Sequence, residues 1–325
     1  MRSAFKFFFI PIFGFALLFT ACRPDQPKPD YRGEMRKFVE KISAKGKSLR
    51  PGFIVIPQNG LALLTSDGTP SGNSETAYIN AIDGVGQEEL WYGYDNNDNT
   101  ATPDDIHNEL FGQCAFARDH GLKVLVTDYA SSAEKINDSY AKNFSNGFIS
   151  FAADHRDLDH IPSDPVFHSD TSGITNLDSA KNFLYFISPN GYASKDDFVN
   201  AIAQTDYDLV VMDISYDETT FITAADVNRM RTKRHGGIRK IICYMSIGEA
   251  ETYRWYWKPY WKATPPVFIV AEDPYWPDNF SVRYWNPDWQ GIICNGQDSY
   301  LQKVIDAGFD GVYLDLVSNY EYFEE

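Results

Sequence analysis

Short apolar segments recur along the chain, separated by stretches with helical periodicity. Eight of them have the near-continuous apolar character of parallel strands buried on both faces. They span residues 53–57, 123–128, 148–152, 183–187, 209–214, 240–246, 281–285 and 311–316. Eight such strands with helical connections predict an α/β protein of the (β/α)8 barrel type, and an open doubly wound sheet is the alternative. No Gly-x-Gly-x-x-Gly segment follows any strand, which counts against a dinucleotide fold, and no cofactor is indicated.

The helical segments have recognisable ends. Residues 104–120 form one segment with Gly121 as its stop, and Ser194 and Thr223 each precede an Asp by three residues, which is a capping pattern. Another helical segment, 31–47, precedes the first strand, and none follows the last. We expect this segment to lie between the last and first strands of a single barrel domain formed by residues 31–325.

The N-terminus has the pattern of a targeting segment. Arg2 and Lys6 precede an apolar run at 7–19 that is short for a membrane span. Leu-Phe-Thr-Ala-Cys at 18–22 resembles a bacterial lipobox and implies a signal peptide at 1–21, acylation of Cys22 and a tether at 22–30. We therefore expect an exported protein, lipid-anchored to a bacterial membrane, at the outer membrane or cell surface. An ordinary secretory signal is the alternative.

Charge and aromatic content restrict the classes of ligand that the protein is expected to bind. The formal net charge is −16, which disfavours nucleic acid and suits neutral or cationic ligands. Aromatic residues make up 15% of the chain, enough to supply stacking surfaces for sugars. No Cys-x-x-Cys spacing indicates a metal site.

Carboxylates stand at the ends of several predicted strands. Asp128, Asp213 and Asp315 each end a strand, and Glu249 follows a Ser-Ile-Gly turn after another. Active sites of barrels lie at these strand ends, and glycosidases use a pair of carboxyl groups. We expect Glu249 to point inward and Glu251, two residues further on, to face elsewhere.

The segment at 244–251 carries the most specific pattern. Tyr-Met-Ser-Ile-Gly-Glu-Ala-Glu, followed by Tyr253 and Arg254, resembles the signature of glycoside hydrolase family 114, which groups endo-α-1,4-polygalactosaminidases with bacterial and archaeal relatives. Further matches occur in the family's order at 182–185, 209–213, 276–277, 282–285 and 308–315. The resemblance implies a hydrolase that cleaves an α-linked, amino sugar-containing polysaccharide.

The N-terminal half resembles the same family out of order. Segments 53–60, 82–86, 89–92 and 124–129 are similar to the C-terminal half of the bacterial relatives, yet they come first here. This order implies a circular permutation, which requires the strands at 53–57 and 311–316 to be neighbours.

The resemblance assigns only some of the family's catalytic roles to residues of this chain. The family's strand-end aspartate matches Asp213, expected as nucleophile or transition-state stabiliser. The fungal enzymes place a glutamate after Trp-Pro-Gly, whereas this chain reads Trp-Pro-Asp-Asn, so that Asn279 stands at the acid position. Because an amide cannot serve as the acid, we expect Glu249, then Asp315, then Glu272, in that role.

Polar and aromatic residues near the strand ends are expected to contact the sugar. They are Gln58, Asn59, Tyr92, Asp128, Tyr244, Tyr253, Trp276 and Trp285. The alternative to a glycosidase is a lipoprotein on the same barrel that binds glycan without cleaving it.

Overall fold

The computed structural model of the protein describes residues 28–324. The predicted signal peptide, the acylation site Cys22 and most of the tether lie outside the described residues. Within 28–324, no helix combines the length and apolar character needed to cross a membrane.

Thirteen strands and nine α-helices are found in residues 28–324. The strands are β1 Ile54–Pro57, β2 Gly84–Glu88, β3 Tyr92–Gly93, β4 Asn97–Ala101, β5 Lys123–Tyr129, β6 Ile149–Ala153, β7 Phe183–Phe186, β8 Leu209–Asp213, β9 Lys240–Ser246, β10 Glu249–Glu251, β11 Ile269–Glu272, β12 Asn279–Val282 and β13 Gly311–Asp315. The helices are α1 Tyr31–Leu49, α2 Thr76–Ala81, α3 Asp104–Asp119, α4 Ala133–Ser145, α5 Lys195–Ala203, α6 Ala224–Met230, α7 Pro287–Gln290, α8 Tyr300–Asp306 and α9 Glu321–Glu324.

Eight of the strands are parallel and form two sheets. One has the order β1-β13-β9-β8-β7 and the other β2-β5-β6. The sheets are joined where the Asn59 N–H donates to the Gly86 carbonyl at 2.9 Å, beside a Gln58–Gly86 bridge. At the other seam, the rings of Phe151 on β6 and Phe183 on β7 lie 5.8 Å apart, and no register pairs these two strands within 28–324. The protein is thus an α/β protein with parallel sheets.

One of the eight predicted strands was wrong. Residues 281–285 do not form a parallel strand; β12 overlaps their start and is antiparallel to β10 and β11. The eighth parallel strand, which the apolar pattern did not predict, is β2, whose two glycines hide its β-character. Gly86 is required there, because a Cβ would lie 1.9 Å from the Tyr313 hydroxyl oxygen.

The N-terminal helix packs beside the C-terminal end of the chain. The Tyr284 hydroxyl donates to the Tyr31 carbonyl at 2.8 Å, and Arg32 forms an ion pair with Glu324 at 3.1 Å. β1 pairs in parallel with β13. This pairing meets the condition that the permutation imposes, and the permutation itself stays a prediction.

The predicted helix caps are present. Ser194 accepts the Asp197 N–H at the start of α5, and Thr223 and Asp226 form a reciprocal capping box at the start of α6. The small antiparallel sheet β10-β12-β11 follows the end of β9 and carries acids and aromatic residues beside the ends of β8, β9 and β13.

Candidate active site

A cleft of about 1290 Å³ opens at the carboxyl ends of the parallel strands. It collects most of the predicted site residues. Those that line it are Gln58, Asn59, Asp213, Tyr244, Glu249, Tyr253, Trp276 and Asp315; Asn279, at the family's acid position, lines it as well. Strand direction explains the grouping, because all eight parallel strands end at this edge.

Asp213 is the last residue of β8 and is held by Arg254. The guanidinium contacts both carboxylate oxygens, at 2.8 and 2.7 Å, and the Ser215 N–H donates to Oδ1 at 2.7 Å. Burial alone would lower the pKa of Arg254, but the charges of Asp213 and Glu251 outweigh it and hold that pKa well above its ordinary value. Asp213 is therefore fixed in place as an ion-paired acceptor.

Glu251 shares the same guanidinium. Arg254 Nε lies 2.5 Å from Glu251 Oε2, and the Tyr253 hydroxyl donates to Oε1 at 2.7 Å. The expectation that Glu251 faces away from Glu249 was wrong: both line the cleft. They belong to the strand β10, in which residues two apart point to the same face.

Glu249 is 2% exposed and lies among other acids. Burial, the charge and hydrogen bond of Asp273, and the charges of Glu251 and Asp315 raise the pKa of Glu249 to about 8. A carboxyl group with such a pKa keeps its proton at neutral pH, as a general acid must.

Asp315 ends β13 and accepts the Tyr244 hydroxyl at 2.6 Å. Burial raises the pKa of Asp315 to about 6; the Tyr244 hydrogen bond opposes the rise and the charge of Glu88 adds to it. Asp315 is thus a second carboxyl in the cleft with a raised pKa, although less raised than that of Glu249.

Gln58 and Asn59 follow β1, the neighbour of β13, and both line the cleft. The Tyr185 hydroxyl donates to Gln58 Oε1 at 2.8 Å, and Asn59 Nδ2 donates to Glu88 Oε2 at 2.7 Å. Glu88 also accepts the hydroxyl of Tyr129. Glu88 ends β2, whose two glycines conceal its β-character in the sequence.

Two predicted substrate contacts belong to the scaffold. Asp128 is fully buried, outside the cleft lining, and accepts the N–H groups of Trp91 and Tyr92 and the Ser139 hydroxyl. It thereby ties β3 and α4 to the end of β5. The Tyr92 hydroxyl donates to Asp138 on α4, at 2.5 Å, and is not part of the cleft.

Glu272 and Trp285 also lie outside the cleft. Glu272 is exposed on β11 and accepts the Asp278 N–H at 2.9 Å. Trp285 packs against Tyr31 and Phe323, with ring centroids 5.3 and 4.8 Å away. Its position under α1 and α9 makes it a packing residue.

Three exposed aromatic residues stand at the mouth. Tyr275 is 85% exposed, Trp276 65% and Tyr253 43%, and all three line the cleft. Beside them, Asn279 lies opposite Glu251 on β12, and its buried Oδ1 has no hydrogen-bond partner within the described residues. Rings of this kind provide flat apolar faces for sugar rings.

Within residues 28–324, no group of three or more His, Cys, Asp and Glu side chains is placed to hold a metal ion.

The parallel α/β fold thus brings several acids and exposed rings together around one cleft. Residues 179–325 match the model of glycoside-hydrolase family GH114, which confirms the resemblance for this part of the chain. Asp213, Glu249, Arg254 and Asp315 all lie within the match.

Individual relatives match over similar lengths. An uncharacterized protein of Methanocaldococcus jannaschii is 38% identical over 152 residues, which cover 47% of this chain and 42% of the relative. An uncharacterized protein of Deinococcus radiodurans is 43% identical over 123 residues, 38% of this chain and 37% of the relative. The chain thus spans about two fifths of the length of these curated relatives.

Proposed function

We propose that the protein is a glycoside hydrolase in which Asp213 and Glu249 have complementary roles. One observation carries the proposal: the cleft contains one carboxylate paired with a guanidinium and another carboxyl group that burial and neighbouring acids keep protonated. Environments that separate two carboxyl groups in this way are the pattern by which acid and base roles are divided.

Glu249 would donate its proton to the glycosidic oxygen as the bond to the leaving sugar breaks. Asp213 would face the positive charge that develops at the anomeric carbon. Because N–H donors occupy both Asp213 oxygens, it is better placed to stabilise this charge than to attack. Asp315 is the second candidate for the acid, but a pKa of about 6 leaves less of it protonated at pH 7.

The substrate would be an α-linked polysaccharide containing amino sugars. The resemblance implies it, and the charges support it. Arg254 is a single cation shared by Asp213 and Glu251, while the side-chain partners found for Glu88 are the neutral groups of Asn59 and Tyr129. The net negative potential of such a cleft attracts protonated amines.

Barrel closure, circular permutation and a lipid anchor complete the proposal. The eight parallel strands would close into a (β/α)8 barrel at the β6–β7 seam, in circularly permuted order. Superposition on an experimental structure of an unpermuted relative would test both. The chain would be exported and anchored through Cys22, which palmitate labelling of intact cells tests. Cys22→Ala should abolish the label.

The activity is tested by incubating the protein with galactosaminogalactan and with partly deacetylated amino sugar polymers. We expect oligosaccharides from the wild type and at least a 100-fold lower rate from Asp213→Asn, which loses a charge but little volume. Since Glu249 acts when protonated, activity should be present below pH 8 and decline as pH rises through about 8. Polymer binding without release by either protein would favour the glycan-binding alternative.

A further inference from the structure

The cleft has a second polar region at the ends of β1 and β2. Gln58 and Asn59 follow β1, Glu88 ends β2, and all three line the cleft. In the strand order, β9, β13 and β1 stand between β2 and β8, the strand that carries Asp213. Glu88 therefore lies outside the group that Arg254 holds together, and its role has to be read from its own contacts.

Glu88 is held by neutral donors on both of its carboxylate oxygens. Asn59 Nδ2 donates to Oε2 at 2.7 Å, and the Tyr129 hydroxyl donates to Oε1. The Glu88 N–H donates to Asn59 Oδ1 at 3.0 Å, which fixes the orientation of the Asn59 amide and leaves Nδ2 toward the carboxylate. These three hydrogen bonds hold the half-buried carboxylate in one orientation on the cleft wall.

No ion pair accompanies these hydrogen bonds. Within residues 28–324, no Lys, Arg or His is found in ion-pair contact with Glu88. The neighbouring cation, Arg156, is taken up by other acids, since its Nη1 contacts Glu89 and its Nε contacts Asp98, both at 2.8 Å. A carboxylate has about four acceptor sites, and the two neutral donors use one on each oxygen. Glu88 thus keeps acceptor sites and a charge that a cationic ligand can satisfy.

Gln58 supplies an unpartnered donor beside this carboxylate. Its side chain is 2% exposed and lines the cleft, and its Oε1 accepts the Tyr185 hydroxyl at 2.8 Å. In the part of the chain that the structure describes, no acceptor is found for its Nε2. Because a buried N–H group without a partner is costly, this donor is suited to an oxygen atom of a ligand.

A protonated amine fits this pair of groups better than an N-acetyl group does. An ammonium group brings a positive charge and three N–H donors to the free acceptor sites of Glu88. Hydrogen bonds between a charged donor and a charged acceptor are about twice as strong as neutral ones. An acetamide is neutral and has one N–H, so it gains less there. Gln58 Nε2 can meanwhile donate to a hydroxyl group of the same sugar.

We propose that Glu88 is a specificity-determining residue that binds a protonated amino group of the polysaccharide, in a subsite at the ends of β1 and β2 where Gln58 donates to the same sugar. The proposal rests on the proposed function for its substrate, whereas binding at this subsite can be measured without cleavage.

Binding is tested by affinity electrophoresis in native gels that contain an amino sugar polymer with free amines, or the same polymer after chemical N-acetylation. The wild type should bind the free-amine form about tenfold more tightly. In Glu88→Gln, which keeps the shape of the side chain but loses its charge, this preference should disappear. If Glu88→Gln does not fold, Glu88→Ala removes the same charge and gives the same comparison.

Glu218→Gln is the matched control. Glu218 is an exposed acid that lines the cleft after β8, so its substitution lowers the negative charge of the cleft by the same amount. It should leave the preference for the free-amine polymer in place. An equal loss of preference in both variants would show that the overall potential attracts the amine and would overturn the proposal. A Glu88→Gln variant that binds both polymers equally less well would overturn it too, because Glu88 would then bind sugar hydroxyls.

Activity separates this proposal from the proposed function. Since Glu88 contacts neither Asp213 nor Glu249, Glu88→Gln should raise KM for the free-amine polymer about tenfold with a smaller change in kcat. A lost binding preference with no cleavage by any of the proteins would refute the glycosidase and leave the subsite standing. Cleavage by the wild type with an unchanged preference in Glu88→Gln would refute the subsite and leave the glycosidase standing.

Discussion

Replacement of Arg254 by methionine tests the centre of the site most directly. The Arg254 side chain is 3% exposed and makes short contacts with Asp213 and Glu251, at 2.7 and 2.5 Å. Methionine has a similar volume but no charge, so two buried carboxylates would lose their cation. Removal of one partner from a buried ion pair typically costs about 3–5 kcal/mol of unfolding free energy. With two carboxylates affected, we expect the upper part of that range at pH 8.

The loss should depend on pH. Without Arg254, two negative charges would be buried with no cation beside them. The loss of stability should therefore be large where carboxyl groups are ionised and small in acid, where protonation removes their charge. Urea unfolding followed by tryptophan fluorescence should show a small deficit near pH 4.5 and a large one at pH 8.

Lys262→Met provides the control. Lys262 forms an ion pair with Asp278 that is about half exposed on both sides, and its loss should hardly change the unfolding midpoint. A deficit for Arg254→Met that is the same at both pH values, or below about 1 kcal/mol at pH 8, would refute the reasoning.

Three further substitutions separate cleft from scaffold. Trp276→Ala should raise KM about three- to tenfold, with kcat and stability unchanged, since an exposed stacking ring is lost; an unchanged KM in steady-state assays would remove it as a platform. Trp285→Ala should lower the unfolding free energy by about 3 kcal/mol in urea titrations while KM stays constant, because its ring is packed away from the cleft; a raised KM in a fully folded variant would contradict that placement. Gly86→Ala should cost about 1–3 kcal/mol by forcing a methyl group against Tyr313, whereas Gly191→Ala, with no atom within 4 Å of its new Cβ, should be neutral in the same unfolding assay.

Hydrophobic patterning located seven of the eight parallel strands, because strands buried on both faces are apolar throughout. It failed at β2, where Gly84 and Gly86 replace the expected branched residues. Glycine is needed at position 86 because the Tyr313 side chain occupies the space of a Cβ. That requirement comes from a residue more than 200 positions away, and no local pattern records it.

The cleft residues also divide into those that local sequence predicts and those that only the folded structure reveals. Asp213, Glu249 and Asp315 could be found because each follows an apolar strand whose end must face the cleft. Asp128 has the same local signature. Its oxygens, however, accept hydrogen bonds from the N–H groups of Trp91 and Tyr92 and from two side chains of α4. A strand-end acid is a site residue only if no neighbouring segment takes up its oxygens, and a single strand cannot show that.

The sequence by itself determined the parallel α/β class, the strand-end acids and the family resemblance, since each depends on residues adjacent along one segment. Tertiary structure alone decided which acids face one another and which are neutralised. Arg254 joins Asp213 to Glu251, and Asp315 accepts the hydroxyl of Tyr244 from the neighbouring strand β9. The physical reason is that the protonation of a buried carboxyl group depends on desolvation and on charges within a few ångströms, and these are set by segments that the chain brings together only on folding.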